Sequence, residues 1–356
     1  MKGMILAAGF GTRFRPVTYT LPKPMVPLCN RPLIAYGVQS MLAAGVDELI
    51  INLHHLPQAI EEYLRLEFKG RCRFSFSFEQ EILGTGGGIR KVRSFLEDSE
   101  DFLVANADTV QLPPFGALIE ARRRVDALAA LTLRHPPAGD RFTSVYYDRG
   151  SINGIGQGAG EALMFSGCHL ISSRIFRYLP ERDFSGVTED VYIPLLRDKQ
   201  ETLVGVIDDG LWFDIGTPLR YFTASLEVAA LMMDGEFPIP AGSKANPGTT
   251  SLIADGATID RAAHVHKSVL GNGTTAKAES SLDRAIVWND CIIPRGATVR
   301  DSVLAHGVVL PAAVYLENVL VGLDGPAIPA DFDGTRLGNL VVKPIDPSRP
   351  AVAEIR

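Results

Sequence analysis

From its start to Asp108 the chain alternates short runs of strand-forming apolar residues with stretches whose apolar positions recur at helical spacing. Residues 4–8 predict a strand, 32–44 a helix closed by Gly45, 48–53 a second strand, 58–68 a second helix and 73–79 a third strand. In that third strand Phe74, Phe76 and Phe78 alternate with period two and read as core packing. A Gly-rich turn over 84–88 leads into a helix ending near Leu96, and 101–106 is a further strand stopping at Asn106-Ala107-Asp108. Runs at 127–133, 162–171 and 202–207 continue one mixed sheet, and 218–233 reads as a helix. Strands alternating with helices predict an α/β domain built on a parallel sheet flanked by helices.

After Met233 the texture changes. Residues 236–248 hold three prolines and two glycines without periodicity, which predicts a linker. Downstream, Ser251-Leu252-Ile253, Ser268-Val269-Leu270, Ala285-Ile286-Val287, Ser302-Val303-Leu304 and Asn318-Val319-Leu320 follow one another at a constant interval, except that the last falls one position early. Echoes at six-residue spacing lie between them: Ile253, Ile259 and Val265, then Ile293 and Val299. Aliphatics every six residues, with three short faces per coil, describe a parallel β-helix. The expected organisation is an α/β domain over 1–235, a linker over 236–250, a β-helix over 251–322 and a Pro-rich cap or tail over 323–356.

Charge sharpens this picture. The chain has 35 basic and 41 acidic residues, a net charge of −6, which argues against nucleic acid as the main partner. No apolar run reaches the roughly 18 residues of a membrane span, and residues 4–8 run into Gly and Arg without a signal-peptide core, so a cytoplasmic protein without a membrane partner is expected. Cys29, Cys72, Cys168 and Cys291 form no CxxC pair and read as buried thiols. Arg122-Arg123-Arg124 reads as a solvated helix face, His54-His55 as loop contacts, and Glu189-Asp190 as acids at a helix N-terminus. Against the acidic background, the stretch 1–46 contains Lys2, Arg13, Arg15, Lys23 and Arg31 and no acid at all. The basic stretch includes Leu6-Ala7-Ala8-Gly9-Phe10-Gly11-Thr12-Arg13, a strand running into a Gly-rich loop whose backbone N–H groups can converge on an anion. It is neither a GxGxxG fingerprint nor a P-loop. Prolines on both sides of Lys23, in Leu21-Pro22-Lys23-Pro24-Met25-Val26-Pro27, predict an extended backbone that sets where Lys23 points.

These two segments resemble the opening of the sugar-1-phosphate nucleotidyltransferase family, LAAGxGTRxxPxT followed by PKPxxP. The resemblance extends through Leu83-Gly84-Thr85-Gly86-Gly87, Asn106-Ala107-Asp108 and Trp212-Phe213-Asp214-Ile215-Gly216-Thr217-Pro218. It implies a Rossmann-like nucleotidyltransferase domain with a mixed, mainly parallel sheet, followed by a left-handed parallel β-helix. In the implied reaction a sugar-1-phosphate oxygen attacks the α-phosphorus of a nucleoside triphosphate and pyrophosphate leaves. The nucleophile is already ionised, so catalysis reduces to positioning and charge neutralisation. By this resemblance Arg13 holds the triphosphate and Lys23 sits between the α-phosphate and the sugar phosphate. Leu6, Ala8, Gly9, Gly11 and Thr12 line the nucleotide loop, Glu79, Gly84 and Thr85 meet the base and ribose, and Gly167 lines the sugar pocket. Asp108 and Asp214 would bind Mg²⁺ at strand ends.

A carboxylate at Glu79 leans toward guanine, while a uracil or thymine N3–H could also pair with it, leaving GDP-mannose-type and UDP- or dTDP-sugar products open. The Lys of the family's Glu-Lys-Pro segment has no counterpart in 154–161. Two other readings remain: a catalytically silent regulatory or scaffolding paralogue, and an acyltransferase in the β-helix. The latter is disfavoured because His264, His266 and His306 show no supporting acid in the sequence. Open coils expose strand edges, so self-association through 251–321 into a homo-oligomer is expected, with truncation after Met233 giving a smaller assembly in which nucleotide binding can persist.

Overall fold

The computed structural model describes residues 1–137 and 139–355; Arg356 of the expected tail lies outside them. The chain divides into two compact units, Met1–Phe10 with Leu33–Phe213, and Gly11–Pro32 with Asp214–Arg356.

The first unit is a nine-stranded mixed sheet with helices. Strand β1 (Lys2–Leu6) pairs in parallel with β2 (Glu48–Leu53) on one side and β3 (Asp101–Asn106) on the other, and Arg73–Phe78 extends the parallel part beyond β2. Met4 and Ile5 are completely buried, as a central parallel strand covered on both faces requires. The long strand Glu161–Ser172 is antiparallel to β3 and to Ala129–Arg134, so the two halves of the sheet are joined through it.

Two sequence readings change here. The Phe stripe is not core: Arg73–Phe78 is the edge strand, Ser77 is its buried residue, Phe74 and Phe76 are half-buried, and Phe78 is 50% exposed. Alternation located the two faces but not which of them an edge strand would cover. Arg122 does not lie on a solvated face either; its side chain is 2% exposed and its guanidinium is 2.6 Å from the equally buried Asp101. That pair ties the helix Phe115–Arg124 to the start of β3. All four cysteines are free; Cys29, Cys168 and Cys291 are buried, Cys72 only partly.

The second unit combines residues 11–32, the helix α1 (Pro218–Met233) and a three-faced parallel β-helix. On one face the register Leu252↔Val269↔Ile286↔Val303↔Leu320 advances by the same interval at every coil, the last included. The last repeat is therefore Val319-Leu320-Val321, not Asn318-Val319-Leu320. Asn318 is instead a corner residue with φ 57°, the counterpart of Thr250, Lys267, Arg284 and Asp301, whose φ values are also positive. Serine hydroxyls stitch successive coils: Ser268 N–H donates to Ser251 Oγ at 3.1 Å and Ala285 N–H to Ser268 Oγ at 2.9 Å. The coil interior is filled by aliphatics such as Ile293, Val299 and Leu316.

Within 236–250 the segment Ser243–Asn246 forms a strand antiparallel to Ser251–Ala254. After residue 323, Leu340–Pro344 and Val352–Ile355 add antiparallel strands to the last coil. The chain itself thus pairs with one of the three sheets at the start of the β-helix and with two at its end, which removes part of the open-edge argument for self-association.

Candidate active site

Ligand sites in sheets of this kind form beyond the carboxyl ends of the parallel strands. In the first unit the ends of β1, β2 and β3 lie side by side, with Leu6 opposite both Asn52 and Asn106. Asn52, not singled out from the sequence, links them: its Oδ1 accepts from Ala7 N–H at 2.8 Å and its Nδ2 donates to Glu79 Oε1 at 2.8 Å. The other Glu79 oxygen accepts from Leu83 N–H at 3.0 Å. Glu79 is 5% exposed, and its carboxylate holds the 83–85 turn to the strand ends. His54 Nδ1–H donates to the Glu79 carbonyl, 2.8 Å away, and its ring meets Phe10 edge-on at 4.7 Å, so it is the loop contact the sequence suggested.

The Gly-rich run is itself the first part of a helix, α2 (Gly84–Lys91), rather than a turn before it. Its glycines answer a packing need: a Cβ on Gly87 would lie 2.4 Å from the Asp183 carbonyl oxygen, and one on Gly84 2.5 Å from that of Ser185. Gly86 N–H donates to the Ser185 carbonyl at 2.8 Å, Ser185 N–H to that of Leu83 at 3.0 Å, and Val187 N–H to Thr85 Oγ1 at 2.9 Å. Several polar groups of Leu83–Gly86 are therefore used to dock 183–187. Asp190 in turn accepts from Gly186 N–H at 2.8 Å and pairs with Arg182.

Gly167, at φ 98°, lies where the long strand shifts register against Ala129–Arg134; a Cβ there would stand 2.9 Å from Asn106 Nδ2. Asp108 follows β3 in a half-buried turn. Beneath this region His169 and Tyr192 form a buried pair, Nδ1 to Oη 2.9 Å, and burial depresses the imidazole to about 3.

The second unit holds the remaining expected site residues. Gly11 has φ 61°, and a Cβ would meet Lys23 Cβ at 2.9 Å, so only glycine permits the approach of the two loops. Thr12–Phe14 is a single 3₁₀ turn with Arg13 exposed. Lys23–Met25 is another, departing from the extended backbone expected; Met25 N–H bonds the Pro22 carbonyl at 2.8 Å, and Pro24 fits because a first turn needs no donor from it. Lys23 is 8% exposed. Asp214 pairs with Arg220 on α1. A Cβ on Gly216 would stand 3.1 Å from Asp214 Oδ2 and 3.3 Å from Arg13 Nη1, so that glycine leaves the space into which both groups reach.

Among the described residues no three His, Cys, Asp or Glu side chains cluster closely enough to hold a metal by themselves. Nor does any helix of those residues have the length and apolarity to cross a membrane. His266 does have a supporting acid: Asp283 Oδ1 lies 2.9 Å from its Nδ1 on the next coil.

A mixed sheet with a Gly-rich loop after its first strand, followed by the coils of a β-helix, is the architecture of a nucleotidyltransferase domain with a β-helical extension. Comparison with known proteins agrees. The family described as nucleotidyl transferase matches residues 2–142, and the family described as GlmU-like, C-terminal hexapeptide, matches residues 240–341. The chain is 27% identical to a mannose-1-phosphate guanyltransferase of Schizosaccharomyces pombe over 90% of both chains. It is also 27% identical to a UTP--glucose-1-phosphate uridylyltransferase of Synechocystis, over 90% of this chain and 87% of that protein. Crystal structures of HddC from Yersinia pseudotuberculosis, one complexed with GMP-PN, share the fold. The complex has a TM-score of 0.53 at 24% identity, covering 64% of this chain and 98% of that one. The chain resembles the sugar nucleotidyltransferases, carries a nucleotidyl transferase domain over residues 2–142, and forms an NDP-sugar from a nucleoside triphosphate and a sugar-1-phosphate.

Proposed function

We propose that the triphosphate is GTP and the acceptor a hexose-1-phosphate of the mannose type, giving a GDP-hexose. The observation that carries this reading is the alignment with the S. pombe mannose-1-phosphate guanyltransferase across 90% of both chains, β-helix included. In this reading residues 1–235 carry the reaction, 236–250 connect, 251–322 form the β-helix and 323–356 cap it. Arg13, exposed on its 3₁₀ turn, neutralises the triphosphate through a multi-donor guanidinium, and Lys23 follows the transferring phosphoryl group as a compact charge. Leu6, Ala8, Gly9, Gly11 and Thr12 line the path of the phosphates. Glu79 acts on the base by holding the 83–85 turn, Gly84 and Thr85 flank the nucleoside, and Gly167 borders the sugar. No proton needs to be removed from the attacking phosphate oxygen, so these groups orient and neutralise rather than act as bases.

The hard carboxylate oxygens of Asp108 and Asp214 suit Mg²⁺, which is commonly held by one or two carboxylates with substrate phosphates completing its shell. Bound there, the ion would add positive charge against the phosphates, and Arg220 would share Asp214 with it. The same reading places the enzyme in the cytoplasm and has it self-associate through an exposed face of 251–322, which light scattering on the full chain tests.

The substrate assignment is tested by a matrix of nucleoside triphosphates against sugar-1-phosphates, read by pyrophosphate release. Turnover is expected to be highest with GTP and mannose-1-phosphate. Preferred use of UTP or dTTP would overturn the base assignment. NDP-sugar binding with no pyrophosphate from any pair would identify a silent paralogue.

A further inference from the structure

The segment that carries Arg13 and Lys23 is built into the β-helical unit, and named bonds hold it there. Tyr221 on α1 is the junction. Its phenolic O–H donates to the Pro27 carbonyl at 2.6 Å, while its oxygen accepts from Trp288 Nε1 at 2.7 Å. Trp288 lies on a β-helix coil and is 2% exposed, and Tyr221 is fully buried. The Tyr221 ring also meets Phe14, the neighbour of Arg13, edge-on at 5.3 Å, and the Trp288 ring edge-on at 6.1 Å. On the far side Trp288 packs on His306 at 5.0 Å; that imidazole accepts from Asn289 N–H at 3.2 Å, so the coil of Trp288 orients it.

Two further ties act in parallel. Asn30 Nδ2 donates to the Leu270 carbonyl at 3.0 Å and to Ser243 Oγ at 3.2 Å, and Cys29 Sγ lies 3.4 Å from the Ser225 carbonyl of α1. One buried relay therefore runs from the coils through Tyr221 to both turns of the segment: to Phe14 beside Arg13, and to Pro27 just after the Lys23 turn.

We propose that Trp288 and Tyr221 are positioning residues for the transfer reaction: through the Trp288–Tyr221–Pro27 hydrogen-bond chain and the Tyr221–Phe14 ring contact, the β-helix holds the 11–32 segment in the conformation in which Arg13 and Lys23 work. The proposal rests on the reading of those two cations as phosphate-binding groups. Neither Trp288 nor Tyr221 touches substrate. Their effect is on order, and order matters because a displacement of about 1 Å in a catalytic group can cost on the order of 100-fold in rate. An unpaired buried carbonyl at Pro27 would supply the driving force for the segment to rearrange.

The test uses the full chain in three forms, Tyr221→Phe, Trp288→Phe and the double variant, each followed by steady-state kinetics and by hydrogen exchange resolved to residues 14–28. The Met25 and Val26 amides, which close the Lys23 turn, report on its order directly. Each single change is expected to speed exchange there by about tenfold. It should lower kcat by roughly 10- to 100-fold while KM for the triphosphate moves much less. The double variant should add little to Tyr221→Phe, because both changes break one chain. Val299→Ala, which leaves a cavity inside the coils without touching the relay, should lower Tm while leaving exchange over 14–28 and kcat close to wild type.

Wild-type exchange and kcat in Tyr221→Phe would overturn the proposal, and so would faster exchange with unchanged kcat. A loss of kcat in Val299→Ala equal to that in Trp288→Phe would reduce the relay to general stability and overturn it as well. Arg13→Ala, assayed alongside, separates the two levels: if it keeps full turnover, the reading of the segment fails, whereas the exchange data still decide whether the relay holds it.

Discussion

At the scale of single residues, charge and burial set what each group can do. Arg13 is exposed on its 3₁₀ turn, so Arg13→Ala is expected to keep Tm and lower kcat by at least ~100-fold, the usual scale for removing a donor aimed at developing charge. Pyrophosphate release with a thermal melt checks it, and near-full turnover would remove Arg13 from the phosphate site. His169 makes a different kind of prediction. Burial lowers its folded pKa to about 3, below the ordinary 6.5, so the unfolded chain binds this proton first as pH falls. Stability from the neutral His169–Tyr192 pair is therefore complete above pH 6.5 and declines toward pH 3, by about 1.4 kcal/mol per unit for one proton. In His169→Gln, denaturant midpoints followed from pH 7 to 4 should fall less steeply than in wild type; parallel curves would show that His169 does not carry the dependence. The same scale explains one missed residue: Asn52 ends an apolar strand with no motif around it, and only its neighbours across the sheet make it a link between Ala7 and Glu79.

At the scale of elements, the helix Gly84–Lys91 begins in the residues that intrinsic propensity would exclude from a helix. Tertiary packing overrides propensity here, since residues 183–187 come within van der Waals distance of its backbone. Gly87→Ala, helix-favouring in isolation, is accordingly expected to destabilise by roughly 1–3 kcal/mol because its Cβ meets the Asp183 carbonyl. Chemical denaturation measures this, and a stabilised variant would show that the 183–187 segment yields freely. The strands Glu48–Leu53 and Asp101–Asn106 fall where the pattern put them, whereas Ser144–Asp148 and Ser151–Ile155, at the far edge of the same sheet, were not read from the sequence. The burial of Arg122 was not legible either, because a charged run looks solvated until Asp101, on another element, is seen to neutralise it. The one-residue shift of the last β-helix repeat has a similar origin: Asn318 mimics a serine in sequence but takes a left-handed corner.

At the scale of the molecule, the β-helix and the 11–32 segment form one compact unit although the whole of 33–213 lies between them along the chain. Truncation after Met233 would remove Trp288 and the Leu270 carbonyl that anchors Asn30. We therefore expect the truncated chain to lose turnover, and its 11–32 segment to exchange freely, in place of the persistent nucleotide binding that the sequence suggested. Assay and hydrogen exchange on the truncated chain decide it; wild-type kcat would mean that the segment orders itself without the coils.

What the sequence determined alone is local or repetitive. Strand and helix order follows from side-chain periods of two and 3.6, the coils from a repeat at a near-constant interval, and the acid-free basic stretch around Gly9, Gly11, Arg13 and Lys23 from the order of residues itself. What tertiary structure decided is which distant residues share an environment: Asn52 with Glu79, Asp101 with Arg122, and Tyr221 with Trp288 and Pro27. The reason is physical. A period is written in neighbours along the chain, whereas a buried polar group is satisfied by whatever the fold brings within about 3 Å, and no local pattern specifies that partner.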